Sequence, residues 1–171
     1  LKNAWTWEHQ ALTRARFCAG DPAVGKRFEE IRCEILRLPR DLAKLKEDVV
    51  AMRQKMYVSH ALNSETEFAL KHDPGGIIDV EFIVQYLVLG YAHQHPSLTG
   101  NLGNIALLRM SGELGLIDLQ QAEAVGNAYR EYRRLQHAKR LSAHPKAPIP
   151  REEIENHVAA VDRLWKAVFA D

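Results

Sequence analysis

The stretch Lys71–Gln85, KHDPGGIIDVEFIVQ, decides how the chain folds. Lys71, His72 and Asp73 open it with charge, and Pro74-Gly75-Gly76 follows as a turn tripeptide. Proline fixes φ, and glycine reaches backbone angles that a Cβ forbids. An apolar run begins at once and continues through Tyr86-Leu87-Val88-Leu89, with Asp79 and Glu81 set into it. From Ile77 to His93 the run is apolar on nearly every side, and a helix of that kind belongs at the centre of a domain. Asp79 and Glu81 are two residues apart and point about 200° apart on a helix, so one buried stripe cannot hold both. Glu81 and Gln85, four apart, share a face. An unpaired buried charge is costly, so these acids call for arginines elsewhere in the chain, or for a ligand.

Two readings of this stretch stand open. One is a glycine turn leading into a buried helix, with the acids in internal ion pairs. The other is a turn that faces phosphate, because glycine amides and a helix N-terminus attract anions and Lys71 adds positive charge. The stretch matches neither GxGxxG nor GxxxxGK[ST], so neither standard phosphate loop is present.

Upstream, three helices are expected within residues 1–60. Asn3–Cys18 places Ala4, Trp5, Ala11, Leu12 and Ala15 at helical spacing, and Gly20 ends it. Asp21-Pro22 reads as an N-cap and a first-turn proline for a second helix. That helix carries Val24, Phe28, Ile31, Ile35 and Leu38 at intervals of three and four, and Pro39 breaks it. Asp41 caps a third, with Leu42, Leu45, Val49, Met52 and Met56 along one side. Arg14, Arg16, Arg32, Arg37, Arg53 and Lys55 give these helices a cationic side. Such a side is solvated surface in the ordinary case, and Arg14, Arg16 and Arg53 are the candidates for contact with an anion. Residues 61–75 read as a loop containing Asn63-Ser64 and ending in the glycine turn; Glu67–His72 has a short extended pattern, too brief to predict a sheet.

Downstream, His95-Pro96 ends the core helix, Asn104–Ser111 is a short helix and Gly112–Gly115 a turn. Asp118 with Gln121 resembles a capping box for a long helix, Leu119–Ser142, with Ala122, Val125, Tyr129, Tyr132 and Leu135 on its apolar face. Pro145, Pro148 and Pro150 form a stiff connector to a last helix, Glu152–Phe169, which packs through Ile154, Val158, Val161, Leu164, Trp165 and Val168. The expected fold is all-α: a bundle of about six to seven helices around a central apolar helix, in one domain over residues 1–171.

Composition narrows the function. The chain has 171 residues, 46% of them apolar, with a formal net charge of +1, so no global field draws it to nucleic acid or membrane. Its first residues lack the apolar core of a secretion signal, and no run approaches the roughly 20 apolar residues of a membrane span. Cys18 and Cys33 have no metal-ligand spacing and suit free thiols in a reducing cytoplasm. His93, His95 and His144 have no acidic or thiol companions at ligand spacing, and HExxH, CxxC and GxSxG are all missing. No metal or catalytic residue is expected in this chain. The missing initiator methionine carries the expectation that the chain is part of a larger protein.

WTWEHQALTRAR near the start, RFEEIRCEILRLPRD, MRQKM and KHDPGGIIDVEFIVQYLVLGYAH together resemble one family, the bifunctional glutamine-synthetase adenylyltransferases. The resemblance runs from Trp5 to about Arg140, and its GGIxDxEFIxQYLVL segment is specific. Members have two similar halves, each a nucleotidyltransferase domain followed by a helical domain; one half attaches AMP and the other removes it by phosphorolysis. The wording of Gln85–Leu89 resembles the adenylylating half. The family's metal-binding carboxylates stand in a Gly-Ser motif followed by Asp-x-Asp, which this chain lacks. The resemblance therefore implies a helical domain that follows an absent nucleotidyltransferase domain. It implies ATP and Mg²⁺ for the whole enzyme, none bound by this chain alone, and glutamine synthetase and a PII-type nitrogen signal protein as partners. Lys71, Asp73, Gly75, Gly76, Asp79 and Glu81 are then either the nucleotide-side wall or a structural motif. The alternatives are a non-catalytic module that recognises one of those partners, and the corresponding domain of a related uridylyltransferase.

Overall fold

The apolar run forms helix α4, Ile77–Tyr91, and twelve of its fifteen residues are buried. The structure, a computed structural model, describes residues 5–62, 64–141 and 148–170. Among them the other helices are α1 (Thr6–Leu12), α2 (Pro22–Leu36), α3 (Leu42–His60), α5 (Asn104–Glu113), α6 (Leu119–Arg140) and α7 (Glu155–Phe169). Helices α1, α3, α5, α6 and α7 all contact α4. The expected all-α bundle around a central helix is the observed fold.

The extended pattern at Glu67 resolves into strand β1 (Glu67–Phe68), which pairs antiparallel with β2 (Ile149–Pro150). This two-residue bridge ties the loop before α4 to the segment before α7, and Arg151 N donates to Thr66 O at 2.9 Å beside it. Phe68 is fully buried there, with the Arg151 guanidinium 5.2 Å from its ring centre.

The predicted N-caps are in place. Asp21 accepts from Ala23 N, Asp41 from Ala43 N and Lys44 N, and Asp118 from Gln121 N. Helix α4 ends at Tyr91 rather than His93, α5 runs on through Gly112, and α7 begins after a 3₁₀ turn at Arg151–Glu153. Ala4, Asn63, Ser142, His144 and Pro145, named above, lie outside the described residues.

Two expectations need correction. Helix α1 spans Thr6–Leu12, not Asn3–Cys18. Past Leu12 the backbone tightens to three-residue bonds, Arg14 N to Ala11 O and Ala15 N to Leu12 O, and Arg32 adds its Nε to the Leu12 carbonyl at 3.0 Å and its Nη2 to the Thr13 carbonyl at 3.4 Å. Those are the acceptors that a continuing helix needs for the amides four residues on. The second correction concerns Arg32 and Arg53, expected on a solvated cationic side. They are only 3% and 5% exposed.

Arg32 also donates to Thr99 O at 3.0 Å and to Glu29 at 3.2 Å, so one guanidinium joins α2 to the end of α1 and to the turn at Pro96–Thr99. The buried side of α2 is Gly25, Arg32 and Leu36. The stripe Val24, Phe28, Ile31 and Ile35 has the helical period, but it is not the side turned into this core: Val24 is 66% exposed and Ile31 40%.

Candidate functional site

The glycine turn is closed by its own backbone. Gly76 N donates to Asp73 O, Ile77 N to Leu70 O and Ile78 N to Lys71 O, at 3.0, 2.9 and 3.3 Å. Gly75 N donates to Asp79 Oδ2 at 2.6 Å. The amides of Gly75, Gly76, Ile77 and Ile78 are thus all committed within the chain, and none is free for a phosphate. Gly75 has φ of +82°, the left-handed region that glycine tolerates, whereas Gly76 has φ of −91°. What requires glycine at 76 is closeness: a Cβ there would lie 2.6 Å from Leu70 O and 2.9 Å from Asp73 O.

Asp73 is 2% exposed and accepts from Leu62 N at 2.7 Å and Ala69 N at 2.8 Å, fastening the loop to the end of α3. Asp79 is bonded on its other oxygen by Arg53 Nε, while Arg53 Nη2 holds His72 O at 2.9 Å. Burial pushes the Asp79 carboxyl up from its ordinary value, and Arg53 and the Gly75 amide pull against that. Tyr132 of α6 donates to Gly75 O at 2.9 Å from a fully buried position. Helices α3, α4 and α6 therefore meet on this turn.

Glu81 belongs to a different cluster. It accepts from Tyr129 Oη at 3.1 Å and lies 3.8 Å from Arg14 Nη1. Arg14 also donates to Asn104 Oδ1 at 3.0 Å, and Gln10 Nε2 to Gln85 Oε1 at 2.9 Å. Arg16 bonds Asn101 and the Leu102 carbonyl. Arg14 and Arg16 thus fasten the end of α1 to α4 and α5, with Arg14 half-exposed. Lys71 is exposed at the rim of the turn.

The acidic pair does not suit a divalent metal. Asp79 is occupied by Arg53 and Gly75, and Glu81 faces Tyr129 and Arg14 in another cluster. Phosphoryl chemistry needs carboxylates held together around the metal, so no catalytic step is assigned to this pair. Among the described residues no three His, Cys, Asp or Glu stand together as metal ligands. Cys18 and Cys33 are free thiols, and among the described residues no helix is long and apolar enough to cross a membrane.

Sequence reasoning missed Arg32, Tyr129, Tyr132 and Asn104 as parts of these clusters. The signal for Arg32 was its spacing of seven from Gly25 and four from Leu36, along the buried side of α2.

His72 stacks on His60 with ring centres 4.8 Å apart. Burial, then the charges of Lys71, His60 and Arg53, hold His72 below its ordinary value, and burial followed by Arg40 does the same to His9. The unfolded chain binds these protons more readily. The stabilisation is therefore full above the unfolded value of about 6.5 and is lost as pH falls below it. Asp162, raised chiefly by burial, acts with the opposite sign, losing stability as pH rises through its raised value. Melting curves between about pH 7.5 and 5.5 read the histidine contribution. A His9→Gln, His72→Gln double variant is expected to lose less stability on acidification than the parent; an unchanged slope would exclude the histidines.

Two family models match the chain. One, described as glutamate-ammonia ligase adenylyltransferase, matches residues 1–31. The other, described as GlnD PII-uridylyltransferase, matches residues 43–147. A curated protein of Aromatoleum aromaticum is 58% identical over 99% of this chain, and one of Nitrosomonas eutropha 52% over 98%. One of Bordetella bronchiseptica is 52% identical over 99%. All three are named bifunctional glutamine synthetase adenylyltransferase/adenylyl-removing enzyme, and the chain spans 18%, 20% and 18% of their lengths. Identity at this level over nearly the whole chain leaves one conclusion: the chain belongs to the family of bifunctional glutamine synthetase adenylyltransferase/adenylyl-removing enzymes.

Proposed function

We propose that this chain is the helical domain of the adenylylating half of an enzyme that transfers AMP from ATP to a tyrosine of glutamine synthetase. The observation that carries the reading is the 58% identity, over 99% of the chain, to a protein named bifunctional glutamine synthetase adenylyltransferase/adenylyl-removing enzyme. The geometry of Asp79 and Glu81 supports the placing of the chemistry elsewhere in the protein, since neither is available to a metal with the other. In this reading Mg²⁺ and ATP bind to a nucleotidyltransferase domain outside this chain, and the protein works in the cytoplasm. Lys71, exposed beside the turn, is the residue that faces the nucleotide side; Asp73, Gly75, Gly76 and Asp79 hold the turn in shape.

The test compares the chain alone with the full-length protein, each incubated with glutamine synthetase, ATP and Mg²⁺, with AMP attachment read by mass. The full-length protein is expected to transfer AMP and the chain alone to transfer none. Appreciable transfer by the chain alone would overturn the reading. In the full-length protein, Lys71→Ala is expected to slow transfer with little change in melting temperature, because an exposed lysine contributes little stability. Unchanged transfer would remove Lys71 from the site.

A second reading is favoured by the match of residues 43–147 to a PII-uridylyltransferase model. There the bundle is a binding module that recognises a PII-type signal protein. Titration of the full-length protein with a PII-type protein, with the bundle's amide exchange as readout, distinguishes it: protection confined to this bundle is the expected result of that reading.

A further inference from the structure

Helix α2 carries an apolar stripe that the described residues leave largely uncovered. Val24, Phe28, Ile31 and Ile35 follow one another at intervals of four, three and four, and Leu38 continues the line past the helix end. Val24, Ile31 and Leu38 are 66%, 40% and 39% exposed, with Phe28 and Ile35 half-buried. At about 100° per residue the stripe is centred roughly a quarter-turn from the buried Gly25–Arg32–Leu36 side. Arg32 fastens α2 from that buried side alone. Phe17 enlarges the stripe. Its ring lies over Gly25, where a Cβ would come within 2.7 Å of it, and it lines one groove with Val24 and Phe28. The rim is charged with both signs, as in the Arg27–Glu30 pair at 3.1 Å. An apolar centre with a polar rim is the anatomy of an interface.

We propose that the stripe Phe17–Val24–Phe28–Ile31 is the seat of a further domain of the same polypeptide, within the four-fifths of the relatives' length that lies outside this chain. Three observations select that occupant. The relatives extend far beyond the matched region, which is only 18% to 20% of their length. The adenylyltransferase family model takes residues 1–31 and stops on the stripe, while a different model takes residues 43–147. The segment with Phe17, Val24 and Ile31 thus matches a different family model from the rest of the bundle. Trp5 and Trp7, 70% and 51% exposed, lie in the same segment. Finally, the stripe is small. Stable association of separate proteins buries about 800 Å² on each partner, more than four or five side chains supply. A tethered domain needs less, because linkage replaces the second binding event by an intramolecular one.

The inference rests on family membership and is independent of the transfer reaction, since its readout is not activity. In the full-length protein, Val24→Cys, Ile31→Cys and Val58→Cys are made singly, and maleimide labelling of each position is followed by peptide mass. Val58, on α3, is 76% exposed and serves as the open reference. Positions 24 and 31 are expected to label at least about tenfold more slowly than position 58, equally at high and low protein concentration. Labelling at the reference rate would overturn the proposal. Shielding that fades on dilution would also overturn it, in favour of a second copy of the chain. With Cys18 and Cys33 replaced by Ser, a maleimide-benzophenone attached at position 24 is expected to cross-link to peptides outside these 171 residues; cross-links confined to them would overturn it as well.

Discussion

Replacing Asp79 by Asn is expected to lower the melting temperature by on the order of 10 °C. The Asp79 carboxylate is 4% exposed and bonds the Arg53 guanidinium on one oxygen and the Gly75 amide on the other. Asparagine keeps the shape and removes the charge, leaving Arg53, itself 5% exposed, as an uncompensated cation. Breaking a buried pair from one side costs about 3–5 kcal/mol, and for a domain of this size each kcal/mol moves the melting point by roughly 2–4 °C. Arg53→Met is expected to cost a similar amount from the other side. Adding Asp79→Leu to Arg53→Met is expected to recover part of that loss, because it removes the orphaned charge. Thermal melts of the single and double variants check this. Additive losses would show that the pair is not coupled.

The second large effect is expected at the glycines, for two separate reasons. Gly75→Val forces a β-branched residue to φ of +82° and brings its Cβ within 2.7 Å of Val158 Cγ1 and 3.1 Å of Val158 O. Left-handed backbone costs such a residue about 1–3 kcal/mol and overpacking about 1–3 more. Gly76→Ala has no backbone penalty at φ of −91°, but its Cβ would press on two carbonyl oxygens. One of them, Leu70 O, accepts the first amide of α4, Ile77 N, at 2.9 Å. A backbone oxygen cannot swing aside like a side chain. Both variants are expected to melt well below the parent, and Gly75→Ala less so than Gly75→Val. A Gly76→Ala variant that melts with the parent would show that the turn relaxes freely.

Much of this was legible in the sequence, and the reasons differ by element. The apolar run at Ile77, apolar on nearly every side, marks a central helix because it has no broad polar face to give to solvent. Asp79, set in that run, calls for a cation, and Arg53 supplies it. The caps at Asp21, Asp41 and Asp118 are local chemistry and read directly. Tertiary override was not legible. Helix α1 stops short where Arg32, twenty residues away, bonds the carbonyl of Leu12, a contact that no local pattern announces. Arginine reads as surface, so the burial of Arg32 and Arg53 is against the ordinary expectation for the residue type. The stripe on α2 has the period of a buried face, but period alone does not say whether its cover lies in the same chain.

The most direct test of the account is the rate of AMP transfer to glutamine synthetase by full-length Asp79→Asn, measured well below its melting temperature. If Asp79 fastens the domain and the chemistry lies elsewhere, the folded variant transfers AMP at close to the parent rate while melting early. Normal melting with a collapse of transfer would contradict the account and place Asp79 in the active-site wall.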